Sequence, residues 1–185
     1  PATGKMIYKK GDPVIMGNST DGIYMINESG KLELKDLPLG TTGARYKVEE
    51  ISTLDGYVLL DEPVIFEFDI KDNTTKEYTV EKTIKNKLTE TYFSKQDLNG
   101  TELKGGEYSV IDAKSGEIID QWTSDGRGHL VKGLVIGKDY IYREDLTPLG
   151  YTYAKDVKFT MSKNKQTIVM KDTQVDVNKL DVDGN

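Results

Sequence analysis

Residues 46–57 and 140–151 are two copies of one pattern, and this repetition restricts the fold more than any other feature of the chain. In Tyr140-Ile-Tyr-Arg-Glu-Asp-Leu-Thr-Pro-Leu-Gly-Tyr151, a β-strand places Tyr140, Tyr142 and Glu144 in one row and Ile141 and Arg143 in the other. Thr147-Pro-Leu-Gly150 then supplies a turn. In Tyr46-Lys-Val-Glu-Glu-Ile-Ser-Thr-Leu-Asp-Gly-Tyr57 the row is Tyr46, Val48 and Glu50, and Gly56-Tyr57 stands where Gly150-Tyr151 stands in the later copy. A carboxylate aimed twice along an aromatic or apolar row points to chemistry built into the core of a repeated domain.

The repeat divides the 185 residues into two domains of about 85–95 residues, each able to fold alone around a modest core. The first is expected at 1–87 and the second at 88–173, with 174–185 as one further strand. Hydrophobic residues make up 36% and charged residues 30%, with 18 Gly and 11 Tyr, a balance that favours short strands and frequent turns. Alternation predicts strands over 5–10, 30–37, 64–70 and 77–87 in the first repeat. Their counterparts fall over 107–112, 128–134, 157–161 and 167–172 in the second. No stretch holds a helical period, so the predicted class is all-β, with tandem antiparallel β-sandwiches.

A net charge of −6 without any Lys/Arg cluster argues against nucleic acid or an anionic membrane as partners. No apolar run is long enough to span a membrane and no signal peptide is evident. The expectation is therefore a cytosolic protein or a piece from inside a larger exported one. With no Cys, two small β domains must resist unfolding by something other than disulfides. A single histidine, His129, removes the usual triads and most zinc sites, and no cofactor is expected. Glu49 and Glu50 are neighbours in a strand and face opposite ways, which argues against a glycosidase pair. Trp122 reads as core packing, His129 as a strand-surface residue, and Asp181-Val-Asp-Gly184 as a turn rather than a calcium loop.

The second repeat opens with Thr91-Tyr-Phe-Ser-Lys-Gln-Asp-Leu-Asn-Gly100, a strand for which the first has no counterpart. Its Lys-x-Asp-x-x-Gly spacing returns in Val175-Asp-Val-Asn-Lys-Leu-Asp-Val-Asp-Gly184. The chain is thus expected to begin on the second strand of one unit and to finish on the first strand of another. Either it is a trimmed fragment, or residues 174–185 of one molecule complete the first repeat of the next by donor-strand addition, making a head-to-tail polymer.

Three core-facing rows of the second repeat carry charge: Phe93 and Lys95; Tyr140, Tyr142 and Glu144; Ile168, Met170 and Asp172. A lysine buried with two carboxyl groups must pair or react. Burial lowers a lysine's pKa and raises that of a carboxylic acid, which sets a nucleophilic amine beside a protonated carboxyl. A second carboxylate can shuttle the proton between them, and a pair held in contact and out of water could condense to an amide. A plain buried salt-bridge cluster is the other reading of the same residues.

Four motifs in order, Phe93-Ser-Lys-Gln-Asp97, Trp122-Thr-Ser-Asp-Gly126, Tyr140 to Tyr151 and Ile168-Val-Met-Lys-Asp172, resemble the CnaB-type (SpaA-like, prealbumin-like) repeat domains of Gram-positive surface adhesins and pilins. Within that group the second repeat looks particularly like the SpyTag/SpyCatcher parent domain. The resemblance covers essentially the whole chain. It implies an intramolecular isopeptide bond, with Lys95 as the amine, Asp172 as the acyl partner, Glu144 as the catalytic carboxylate and water as the leaving group. In the first repeat it implies Glu50 in the catalytic position and Asn86 in the acyl position. The amine strand is missing there, and Lys9 and Lys10 are poor substitutes, because their strand matches 107–112. Lys179 becomes the amine of a following unit, able to face Glu50 and Asn86 only in a neighbouring molecule. The function implied is a stalk or shaft segment of an extracellular, cell-wall-attached protein, partnered by neighbouring repeats and cross-linking itself once rather than turning over. A module that binds a host extracellular-matrix protein is the alternative.

Overall fold

Alternating burial and frequent glycine turns produce nine strands, and no helix, among the described residues, 9–72 and 74–175 of a computed structural model. They are β1 (Gly43–Val48), β2 (Val64–Asp69), β3 (Glu90–Asp97), β4 (Lys104–Asp112), β5 (Ile118–Asp125), β6 (His129–Lys132), β7 (Asp139–Leu146), β8 (Val157–Thr160) and β9 (Gln166–Asp172). The chain forms two compact units. One comprises the described residues up to Val48 with Pro63–Lys82, and the other Glu49–Glu62 with the described residues from Thr83 onward.

In the first unit β1 and β2 pair antiparallel, with Tyr46 opposite Phe66 and Val48 opposite Val64. Tyr46 meets Phe68 edge-on, ring centres 6.1 Å apart. The predicted strands over 30–37 and 77–87 form no ladder. Leu32 is 38% exposed, so its alternation with Leu34 faces no core, and Asp36 takes a left-handed φ of 57° that interrupts an extended run. Lys9 and Lys10 lead into a turn, while the rest of the strand expected over 5–10 lies outside the described residues.

The second unit is a sandwich of two sheets, ordered β6-β3-β9 and β5-β4-β7-β8. Phe93 of β3, Tyr108 and Val110 of β4, Tyr140 and Tyr142 of β7, and Ile168 and Met170 of β9 fill the space between them. Phe93 lies at the centre, its ring 5.0 Å from Tyr142, 5.6 Å from Phe159 and 5.7 Å from Trp122. One pairing departs from a purely antiparallel sandwich: β3 and β9 run parallel, with Lys95 in register with Met170 and Asp97 with Asp172. Nothing in the alternation of either strand specifies direction, and a buried sheet tolerates parallel pairing well.

The sequence reading did not find β5. Its inward row is Asp120, Trp122 and Ser124, while Ile118 and Ile119 are 50% and 39% exposed, the reverse of the pattern that marks a strand. Trp122 packs on the core as expected. His129 is more than a surface residue, since its ring stacks on Trp122 at 4.1 Å and its Nε2 lies 2.9 Å from Asp120 Oδ2.

Residues 49–62 join the second unit through backbone contacts. Thr89 N–H donates to the Gly56 carbonyl and Val58 N–H to the Lys87 carbonyl, both at 2.8 Å. Gly56 has φ +80°, and a Cβ there would lie 2.5 Å from the Gly133 carbonyl oxygen, so only glycine permits this approach.

Candidate functional site

Lys95, Glu144 and Asp172 converge between the two sheets. β3 delivers Lys95 and its parallel neighbour β9 delivers Asp172 from the same sheet, while β7 projects Glu144 from the opposite one. Period-2 alternation aims all three inward behind Phe93, Tyr142 and Met170, and their exposures are 2%, 1% and 2%. Lys95 Nζ stands 2.5 Å from Asp172 Oδ1 and 3.0 Å from Glu144 Oε1. The Tyr108 ring closes the space, its centre 5.4 Å from Nζ.

Glu144 is held by its own loop. Its Oε2 accepts Ala154 N–H at 2.7 Å and the Thr147 hydroxyl at 3.2 Å, which leaves Oε1 turned towards the amine. Burial raises the Asp172 carboxyl above its ordinary range, with Lys95 opposing the rise and Glu144 adding to it. Burial likewise raises the phenols of Tyr108 and Tyr142, which therefore stay neutral. Glu144 Oε1 meets the Lys95 amine, while Asp172 Oδ2 and the Tyr142 hydroxyl make no hydrogen bond among the described residues. Burial penalises full charge on the Asp172 carboxyl and shifts it towards its neutral form while it touches the Lys95 amine. A neutral carboxyl and an amine in contact have the composition of an amide plus water.

The first repeat's candidates also meet. The Asn86 carboxamide donates to Glu50 Oε1 at 2.7 Å and to Thr53 Oγ1 at 3.0 Å, and Glu50 Oε2 accepts Leu60 N–H at 2.9 Å. Glu50 lies just past β1, which ends at Val48 rather than running through the carboxylate. Among the described residues no lysine pairs with Glu50, and Lys179 lies outside them. No group of acidic, histidine or cysteine side chains among the described residues could hold a metal ion.

The sequence reading missed two residues at the site. Tyr108 sat unremarked in a predicted strand. Glu102 follows a turn, and its contacts to Ser94 and to the Lys95 backbone leave no local pattern.

The fold is all-β, with a two-sheet sandwich that holds the site in the second unit and a two-stranded ladder in the first. The chain belongs to the SpaA family, described as a prealbumin-like fold domain, which matches residues 5–84 and again 89–176. Three solved structures are similar. The streptococcal ancillary pilin is 25% identical, with 75% of this chain and 43% of that one covered and a TM-score of 0.41. The shaft pilin spaA from Lactobacillus rhamnosus GG is 14% identical, with 73% and 66% covered and a TM-score of 0.42. The Bacillus anthracis TIE protein is 21% identical, with 72% and 25% covered and a TM-score of 0.43. The chain thus spans between a quarter and two thirds of the length of these structures. No curated protein sequence matches it. No helix among the described residues is long and apolar enough to cross a membrane.

Proposed function

We propose that the chain is a structural segment of a Gram-positive cell-surface protein, a stalk or shaft repeat, locked by a self-formed Lys95–Asp172 isopeptide bond. Membership in the SpaA family supports the structural role. The single observation that carries the bond is the dry contact of Lys95 Nζ with both Asp172 and Glu144. The amine attacks the Asp172 carboxyl carbon, the carbon–hydroxyl bond breaks, and Glu144 carries the amine's proton to the leaving hydroxyl, so that one water departs. Each chain reacts once, and no turnover follows. The twofold family match, over 5–84 and 89–176, supports two repeats, which we place at 1–87 and 88–173, with 174–185 proposed to open a further strand.

Intact mass of the denatured chain tests this reading. The expected result is a deficit of one water that disappears in Glu144→Ala. The full calculated mass in the unaltered chain would leave only a salt bridge and would favour the matrix-binding module instead.

A second bond is favoured by the contact of Asn86 with Glu50. Its donor would be Lys179 of another copy, with ammonia as the leaving group. Denaturing gels showing a ladder, with a further loss of one ammonia for each junction, are the expected result. Monomer at every concentration in ultracentrifugation would end this second reading and leave the first intact.

A further inference from the structure

The strand that should flank Lys95 stops short of it. β6 pairs with β3 only from Glu90 opposite Lys132 to Phe93 opposite His129. The N–H and C=O of Lys95 point to that same edge, one step beyond its last partner. A buried donor left unpaired there would be costly. The returning chain supplies what β6 does not. Leu103 N–H donates to the Lys95 carbonyl at 2.7 Å, and Lys95 N–H donates to Glu102 Oε2 at 3.1 Å. The other oxygen, Glu102 Oε1, accepts the Ser94 hydroxyl, and Gln96 Nε2 braces the pair at 2.8 Å from Ser94 Oγ and 3.4 Å from Glu102 Oε1. A single carboxylate thus holds the backbone of the amine-bearing residue through one oxygen and the neighbouring hydroxyl through the other.

We propose that Glu102 is a positioning residue for the reaction of Lys95 with Asp172. It stands in for the missing strand and fixes the Lys95 backbone so that Nζ reaches both carboxyl groups. The inference rests on the isopeptide reading above. Glu102 acts on the backbone amide and the neighbouring hydroxyl rather than on the reacting atoms. Misplacing a reacting group by about 1 Å can slow a pre-oriented reaction by roughly a hundredfold, so slackening at this one point is enough to matter.

Reach and charge separate the possibilities. Glu102→Gln loses the charge but keeps an oxygen at the right distance, whereas Glu102→Asp keeps the charge and draws the oxygens back. The full chain and its Gln, Asp and Ala variants would be made by cell-free synthesis. Samples quenched in denaturant over time would be read by intact mass for the loss of water. The expected order is Gln within about twofold of the unaltered chain, with Asp and Ala slower by about tenfold or more. Cooperative melting of Gln and Asp above the reaction temperature shows that both are folded, and the comparison between them stands even where Ala does not fold. Asp keeping pace while Gln lags, Gln lagging as far as Asp, or all variants keeping pace with the unaltered chain would each overturn the role of Glu102. An unaltered chain that never loses water would fail the isopeptide reading itself, and that result appears before any variant is compared.

Discussion

Glu144 and Glu50 sit in the same cradle but meet different neighbours. Each accepts a backbone N–H from the residue ten positions on, Ala154 or Leu60, through its Oε2. Each has a threonine three positions on, Thr147 or Thr53, and each turns Oε1 towards the residue that closes its repeat's pattern or towards that residue's partner. At Glu144 the partner is a lysine already touching Asp172; at Glu50 it is the amide of Asn86 itself. The cradle is therefore a local device, written by a strand end and the loop that folds back on it. The dry surroundings and the amine are what the full sandwich adds.

Removing the carboxylates is the most forceful way to break that comparison. Glu144→Ala is expected to abolish the loss of water and to lower stability by about 4–5 kcal/mol, the loop-closure value for a cross-link between residues 77 apart. Glu50→Ala should leave the water deficit unchanged. Chemical denaturation with intact-mass readout checks both.

Next come the aromatic residues. Phe93→Ala should cost about 3–5 kcal/mol, because its ring is buried against Tyr142, Phe159 and Trp122. Phe66→Ala, half-buried on β2, should cost under about 2 kcal/mol. Urea unfolding followed separately by hydrogen exchange in the two units would show the difference.

Asn86→Asp would bring a second carboxyl against Glu50, within the 2.7 Å now bridged by a hydrogen bond. Two carboxyl groups in such contact raise the pKa of one of them. The folded state of this variant then binds an extra proton, so it should match the parent in acid and fall behind by about 1–2 kcal/mol as pH rises to neutrality. A stability series from acid to neutral pH checks this sign.

The smallest effect is on the reaction's pH dependence. The neutral amine–acid pair holds the same number of protons as the ion pair, so the rate should be flat over a broad range. It should fall on the acid side, where both Lys95 and Asp172 are protonated. Because burial raises Asp172, that fall should lie above 3.8, the ordinary aspartate value. Initial rates of water loss at a series of pH values would show it.

What could be read in the sequence follows from the range of the interactions. Lys95, Glu144 and Asp172 announced themselves because a charge in a period-2 apolar row is visible within a few residues. Asn86 was visible through the repeat. The strand β5 was not, because its inward row is Asp120, Trp122 and Ser124 and its isoleucines face out. The strand expected over 30–37 failed for the converse reason, an alternation with no core to meet. Glu102 serves a backbone amide across a turn, and no side-chain pattern records such a partnership. The parallel direction of β9 depends on how the whole sandwich closes.

The parallel pairing of β3 and β9 determines what tension does to this domain. Pulled along the chain from before Glu90 and beyond Asp172, the two strands slide against each other, and every rung from Thr91–Gln166 to Asp97–Asp172 is loaded at once rather than in succession. With Lys95 joined to Asp172, the force crosses from one strand to the other through a covalent link. The intervening residues, spanning a sequence separation of 77, then carry none of it. Roughly 250 Å of contour length, at about 3.3–3.6 Å per residue, would stay spooled inside the sandwich however hard the ends were drawn.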